Sequence, residues 1–131
     1  MKYLKADCDQ EAHRYTLTEY YVFRDTGVTG QSVSGKFWTL TPNGNLILYV
    51  GFSWDGGTFA INTKAMITAS AFHDVICWLT NDGRIAHDPW RARGDKHFRV
   101  LLQQLTPNAF GWVWSWVRWT AVRTNSILHR L

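Results

Sequence analysis

At 131 residues and 15.2 kDa the chain has the size of one domain, typically roughly 100–200 residues. Its 46% apolar and 18% charged content excludes bulk disorder, and no apolar run approaches the ~20 residues that a membrane-spanning helix needs. The opening MKYLKADCDQ has no apolar stretch of the secretory type, so a soluble cytoplasmic product is expected, with Cys8 and Cys77 as free thiols. Two cysteines are too few for a disulfide framework or a four-cysteine zinc site. Eight tryptophans are the compositional outlier and imply a ring-rich core or an apolar surface awaiting a partner. The net charge of +4 is uneven: residues 1–83 carry six Lys/Arg against eight Asp/Glu, and residues 84–131 eight against two. Such a basic end is a solvated helical surface or a face for phosphate.

The first half reads as strand and turn. Arg14–Phe23 is β-branched and aromatic and ends at Asp25-Thr-Gly27. Lys36–Thr41 and Asn45–Val50 flank the turn signal Pro42-Asn-Gly-Asn, which predicts a β-hairpin. Gly51–Thr58, with three glycines and Asp55, predicts a loop free to aim backbone groups at a ligand.

The second half reads as three helices. Asn62 or Thr63 caps the first, which runs to about Thr80 with the apolar stripe Ala65, Ala69, Phe72, Ile76 and Leu79. Asp88-Pro89 opens the second, roughly 89–105, whose inward stripe is Arg91, Asp95, Phe98, Leu102 and Leu105. Thr106-Pro107-Asn108 breaks the chain before a third helix to about Leu128. No repeat or linker interrupts the sequence. The expected architecture is a single α+β domain: antiparallel strands over about 14–60, then helices over 62–128, the first two an antiparallel hairpin.

His73-Asp74 sits mid-way along the first helix, and Asp95 puts a carboxylate on the buried stripe of the second. Buried carboxylates are rare unless paired. His73 lies ~12 Å before its helix ends and Asp95 ~9 Å after its helix begins, at 1.5 Å per residue. Antiparallel helices ~8–10 Å apart therefore bring the two side chains to one level. The carboxylate would fix the tautomer of His73 and raise its basicity, leaving the second ring nitrogen to take a proton from water. Asp74 would then be free to bind a cation beside that water. The plainer alternative makes His73 a satisfied core histidine, Asp74 a surface acid and Asp95 the partner of Arg91. A Cys77–His73 nucleophile or metal pair ranks below both, because Ile76 and Trp78 flank the thiol and raise its pKa. His87, His97 and His129 read as solvent-exposed.

In the third helix, Trp112, Trp116 and Trp119 share one face, while Trp114 points away among Arg118, Arg123 and Arg130. One face is core. Trp114, Arg118 and Arg123 also suit an anionic membrane surface or a protein partner.

The series Gly51-Phe-x-x-Asp-Gly-Gly-Thr58, Ala71-Phe-His-Asp74, Arg91-x-x-Gly-Asp-x-x-Phe98 and Ala121-Val-Arg123 resembles a phage and bacterial domain-of-unknown-function family, number thirteen-fifty-three. The likeness covers roughly residues 14–125, with Gly94 where that family has alanine. It implies a phage or prophage origin, in the virion or the host cytoplasm, and no activity.

The layout is also similar, over about 50 residues, to small secreted and viral phospholipases A2. That resemblance implies His73 as the base and Asp95 as its orienter. It places calcium on Asp74, Asp55 and the loop glycines Gly51, Gly56 and Gly57, polarising an ester carbonyl. Two functions follow as expectations: a calcium-assisted hydrolase of lipid or cell-envelope esters, or a non-enzymatic tail, baseplate or host-protein-binding component. Nucleic-acid binding through the basic third helix ranks last.

Overall fold

The computed structural model describes residues 1–7, 13–55 and 63–105. Among them the chain is α+β, with β1 (Tyr3–Asp7), β2 (His13–Leu17), β3 (Tyr21–Phe23), β4 (Val33–Ser34), β5 (Trp38–Leu40), β6 (Leu46–Leu48), β7 (Ser53–Trp54), α1 (Lys64–Asn81) and α2 (His87–Leu105). The strands form two antiparallel sheets, ordered β1-β2-β7 and β3-β6-β5-β4. No described helix is long and apolar enough to cross a membrane. The third helix expected to end near Leu128 lies outside the described residues, as do Gly56, Gly57, Trp114, Arg118 and Arg123.

The hairpin expected around Pro42 forms, with Leu40 opposite Leu46 and Trp38 opposite Leu48. Gly44 takes φ +84° in its turn, a conformation that costs glycine little. The run Arg14–Phe23 does not make one strand. It divides into β2 and β3, which belong to different sheets. Thr18, Glu19 and Tyr20 are exposed in succession, which a half-buried strand cannot accommodate, so the chain bends there. Leu17 is the joint: its N–H donates to the Phe52 carbonyl at 2.9 Å and its carbonyl accepts from Gly51 at 2.9 Å. Part of the glycine-rich stretch is therefore strand as well, because Ser53 and Trp54 pair with Thr16 and Tyr15.

The helix α1 is buried on nearly every side, from Ala65 through Phe72. It touches both sheets: the Trp54 indole donates to the Ile67 carbonyl at 2.9 Å, and Phe23 packs on Phe72 with ring centroids 5.6 Å apart. Thr63 caps it, accepting from the Met66 N–H at 3.2 Å. Asp88 has extended backbone (φ −102°, ψ 133°), so the uninterrupted helix of α2 starts at Pro89, as an N-cap reading of Asp88 requires. Contacts of residue 73 with 95 and of residue 80 with 91 show that α1 and α2 are antiparallel. Of the inward stripe on α2, Arg91, Asp95, Phe98 and Leu102 are buried, whereas Leu105 is exposed. His97, expected in water, is also buried: it lies on the α2 face opposite Asp95, and that face packs on Phe72.

Close approach of the helices depends on Gly94. A Cβ there would fall 2.6 Å from Ile76 Cγ2. Gly94→Ala should therefore lower stability by about 1–3 kcal/mol despite alanine's better helix propensity. In an Ile76→Ala background, where the clashing methyl is gone, the same change should be neutral or stabilising. Urea melts of the four proteins in this cycle test the pairing directly.

Candidate active site

His73 and Asp95 meet as the helix spacing anticipated. Nε2 of His73 lies 2.8 Å from Oδ1 of Asp95, with the Asp95 side chain wholly buried and that of His73 13% exposed. The ring is held from one side by Phe98, at 5.1 Å between centroids. A carboxylate only accepts, so Nε2 carries the proton and Nδ1 presents its lone pair. Asp95 thus fixes the tautomer of His73.

Cys77 Sγ lies 3.4 Å from Nδ1 and 3.7 Å from Nε2, so the thiol sits over the face of the imidazole rather than along the in-plane lone pair of Nδ1. Burial pushes the Cys77 thiol up to about 12, against a smaller downward pull from Arg91. It stays protonated near neutrality, a thiol packed on the face of the ring. This agrees with ranking the thiol below water as a nucleophile. The Cys77–His73 proximity raised from the sequence is present, with the thiol over the ring. The signal was the i, i+4 spacing of His73 and Cys77, which puts them one above the other on a helix.

Arg91 is the partner that the plainer alternative assigned to Asp95. Its guanidinium donates to Thr80 Oγ1 at 2.9 Å and to Asn81 Oδ1 at 3.0 Å, and it also hydrogen-bonds Cys77. The result is a continuous polar seam between two apolar helix faces: Asp95, His73, Cys77, Arg91, Thr80 and Asn81.

Asp74 sits beside the dyad on the flank toward β7. Its carboxyl is pushed up to about 7, first by burial and second by the charge of Asp55. A cation bound near both carboxylates would relieve that repulsion. Asp55 also pairs with Arg14 at 3.0 Å, in an exposed ion pair. Among the described residues no cluster of three or more His, Cys, Asp or Glu side chains could hold a metal, so further donors would have to be carbonyls or water. Gly51 is taken up as a turn residue at φ +93° with its N–H bonded to Leu17. Trp78, one helical turn beyond Asp74, is 43% exposed and leans on Phe52 at 5.9 Å between centroids.

Comparison with known protein families, curated proteins and solved structures finds no match.

The raised pKa of Asp74 fixes the sign of a stability effect. Above about pH 7 the native state carries the charged, disfavoured form; between about 7 and 3.8 the native carboxyl takes up its proton and that penalty disappears. Asp74→Asn should therefore be more stable than wild type at pH 8. The gain should stay below about 4 kcal/mol, because the side chain keeps partial solvent contact. It should shrink to nothing near pH 4. Chemical denaturation of both proteins at the two pH values checks this, and other titrating groups cancel in the difference.

Proposed function

We propose that this is a phage-type hydrolase of lipid or cell-envelope esters, with His73 as general base and Asp95 as the residue that orients it. One observation carries the proposal: the 2.8 Å contact of His73 Nε2 with a carboxylate that has no access to water. That contact leaves Nδ1 as the proton acceptor, on a side chain that still touches solvent. Water at Nδ1 would lose its proton to the ring as it attacks the ester carbonyl, and His73 would return that proton to the leaving alcohol. Asp74 and Asp55 would hold a calcium ion, which supplies Lewis-acid polarisation of the carbonyl when bound. The exposed indole of Trp78 beside Asp74 suits a substrate presented at an interface.

A second reading is favoured by the continuity of the seam. Arg91, only 1% exposed, extends the polar contacts well past any reacting atom, as expected of a network that fixes helix pairing. On that reading the protein is a non-enzymatic tail, baseplate or host-protein-binding component.

Fatty-acid release from phospholipid vesicles with calcium separates the two. The hydrolase reading expects turnover that falls by about 100-fold or more in His73→Ala and Asp95→Asn. Cys77→Ala, which removes the thiol from the ring face, should keep the rate, whereas loss of activity in that variant would make the thiol the nucleophile and overturn the water mechanism. Calcium should raise the melting temperature of wild type at pH 8 and leave Asp74→Asn unchanged. No turnover in wild type on phospholipid or cell-envelope esters would leave the second reading. Asp95→Ala would then act on stability alone, costing about 3–5 kcal/mol.

A further inference from the structure

A second site lies on the other side of α2, independent of the dyad. A cleft of about 760 Å³ runs between α2 and the segment Tyr21–Gly27. Its volume falls within the roughly 300–1,000 Å³ of small-molecule sites. Phe23 and Leu101, both buried, contribute apolar wall, while Arg24, Arg93 and Lys96 are exposed along its edges. Against these three cations stands one carboxylate, Asp25, so the lining carries a balance of +2. The arginine on α2 is held in place: its guanidinium lies over the Trp90 ring at 5.3 Å and reaches the Gly27 carbonyl at 3.4 Å.

The wall also contains an unmet polar group. His97 is 9% exposed and lines the cleft, yet its Nε2 has no hydrogen-bond partner among the described residues. Burial pushes this imidazole down to about 4, against a smaller upward pull from Asp25, so the ring is neutral at physiological pH and adds no charge. An unsatisfied buried nitrogen costs about 1–3 kcal/mol and calls for an explanation. Asp25 is itself unusual. It is a non-glycine residue at φ +54°, pinned by its N–H donating to Asn45 Oδ1 at 3.1 Å. Strained residues of this kind gather at ligand clamps.

We propose that this cleft binds a phosphate monoester bearing an apolar group. The dianionic phosphate would lie among Arg24, Arg93 and Lys96, and the apolar group against Phe23 and Leu101. Charge matching supports a dianion over a singly charged carboxylate, since the lining balance is +2. The same chemistry is offered by a free ester and by the headgroup of phosphatidic acid.

Phenyl phosphate, titrated at pH 7 and followed by calorimetry and by the ring resonances of His97, is the direct probe. Saturable binding with a Kd below about 1 mM is expected, weakened about tenfold or more in Arg93→Gln/Lys96→Gln. Both residues are exposed, so the double variant should melt like wild type. Arg84→Gln, at the α1–α2 turn, should bind as wild type does. Phosphatidylcholine vesicles with and without phosphatidic acid form the second arm. Retention on the acidic vesicles alone, lost in the double variant, would assign the headgroup as the source; phenyl phosphate binding assigns the free ester. Failure of both arms, or binding undiminished in the double variant, would overturn the site. Vesicle hydrolysis does not enter this readout, so it stands or falls apart from the proposed activity.

Discussion

Asp95 carries a carboxylate with no solvent contact in the middle of a helix whose next inward residues are Phe98 and Leu102. A charge in that place is tolerated only if its partners are supplied in place, because desolvation alone costs several kcal/mol per ion. The partner shown is His73 at 2.8 Å, and it can come so near only because the helices touch at Gly94. Slide either helix by one turn and Asp95 would face Ala69 or Cys77 instead of the imidazole. The apolar stripes alone would tolerate such a slip far better. The buried carboxylate thus sets the register of the helix hairpin, and the register assembles every other member of the seam.

The position of α1 between the two sheets explains why the seam is one-sided. Trp54 and Phe23 grip the helix from different sheets, at Ile67 and Phe72, and leave one face for α2. Phe72, His73 and Asp74 are successive residues about 100° apart on the wheel, so they serve three neighbourhoods. Phe72 meets Phe23 and His97, His73 meets Asp95, and Asp74 senses Asp55. A dyad, a carboxylate pair and the back wall of a cleft all start from three adjacent positions.

Much of this was readable from sequence wherever a single period governed. The stripe Ala65, Ala69, Phe72, Ile76 and Leu79 is buried as its spacing implies, and Thr63 and Asp88 behave as caps. The meeting of His73 and Asp95 followed from rise per residue and antiparallel packing alone. Legibility failed where non-local packing decides. The bend at Thr18–Tyr20 exists because Leu17 is fastened to Gly51 and Phe52, far along the chain. The two-residue strand β4 and the edge strand β1 carry too few residues for a period to show. His97 was misjudged because a lone polar residue beside Lys96 looks solvated on a wheel. Its burial comes from Phe72, a partner on another helix.

The seam has two features with different demands, and their coexistence bears on how the site would work. A network built only to join helices gains most when every donor and acceptor is matched inside the protein. Arg91, Thr80 and Asn81 meet that description. At the other end the match is poor: the Cys77 thiol lies 3.4 Å from Nδ1 and 3.7 Å from Nε2, over the ring rather than along a lone pair. A thiol over the ring face leaves the in-plane direction of Nδ1 to other groups, and the proposed reaction would use that direction. The strong contacts therefore lie where rigidity is needed, and the weak one lies where a proton would have to move.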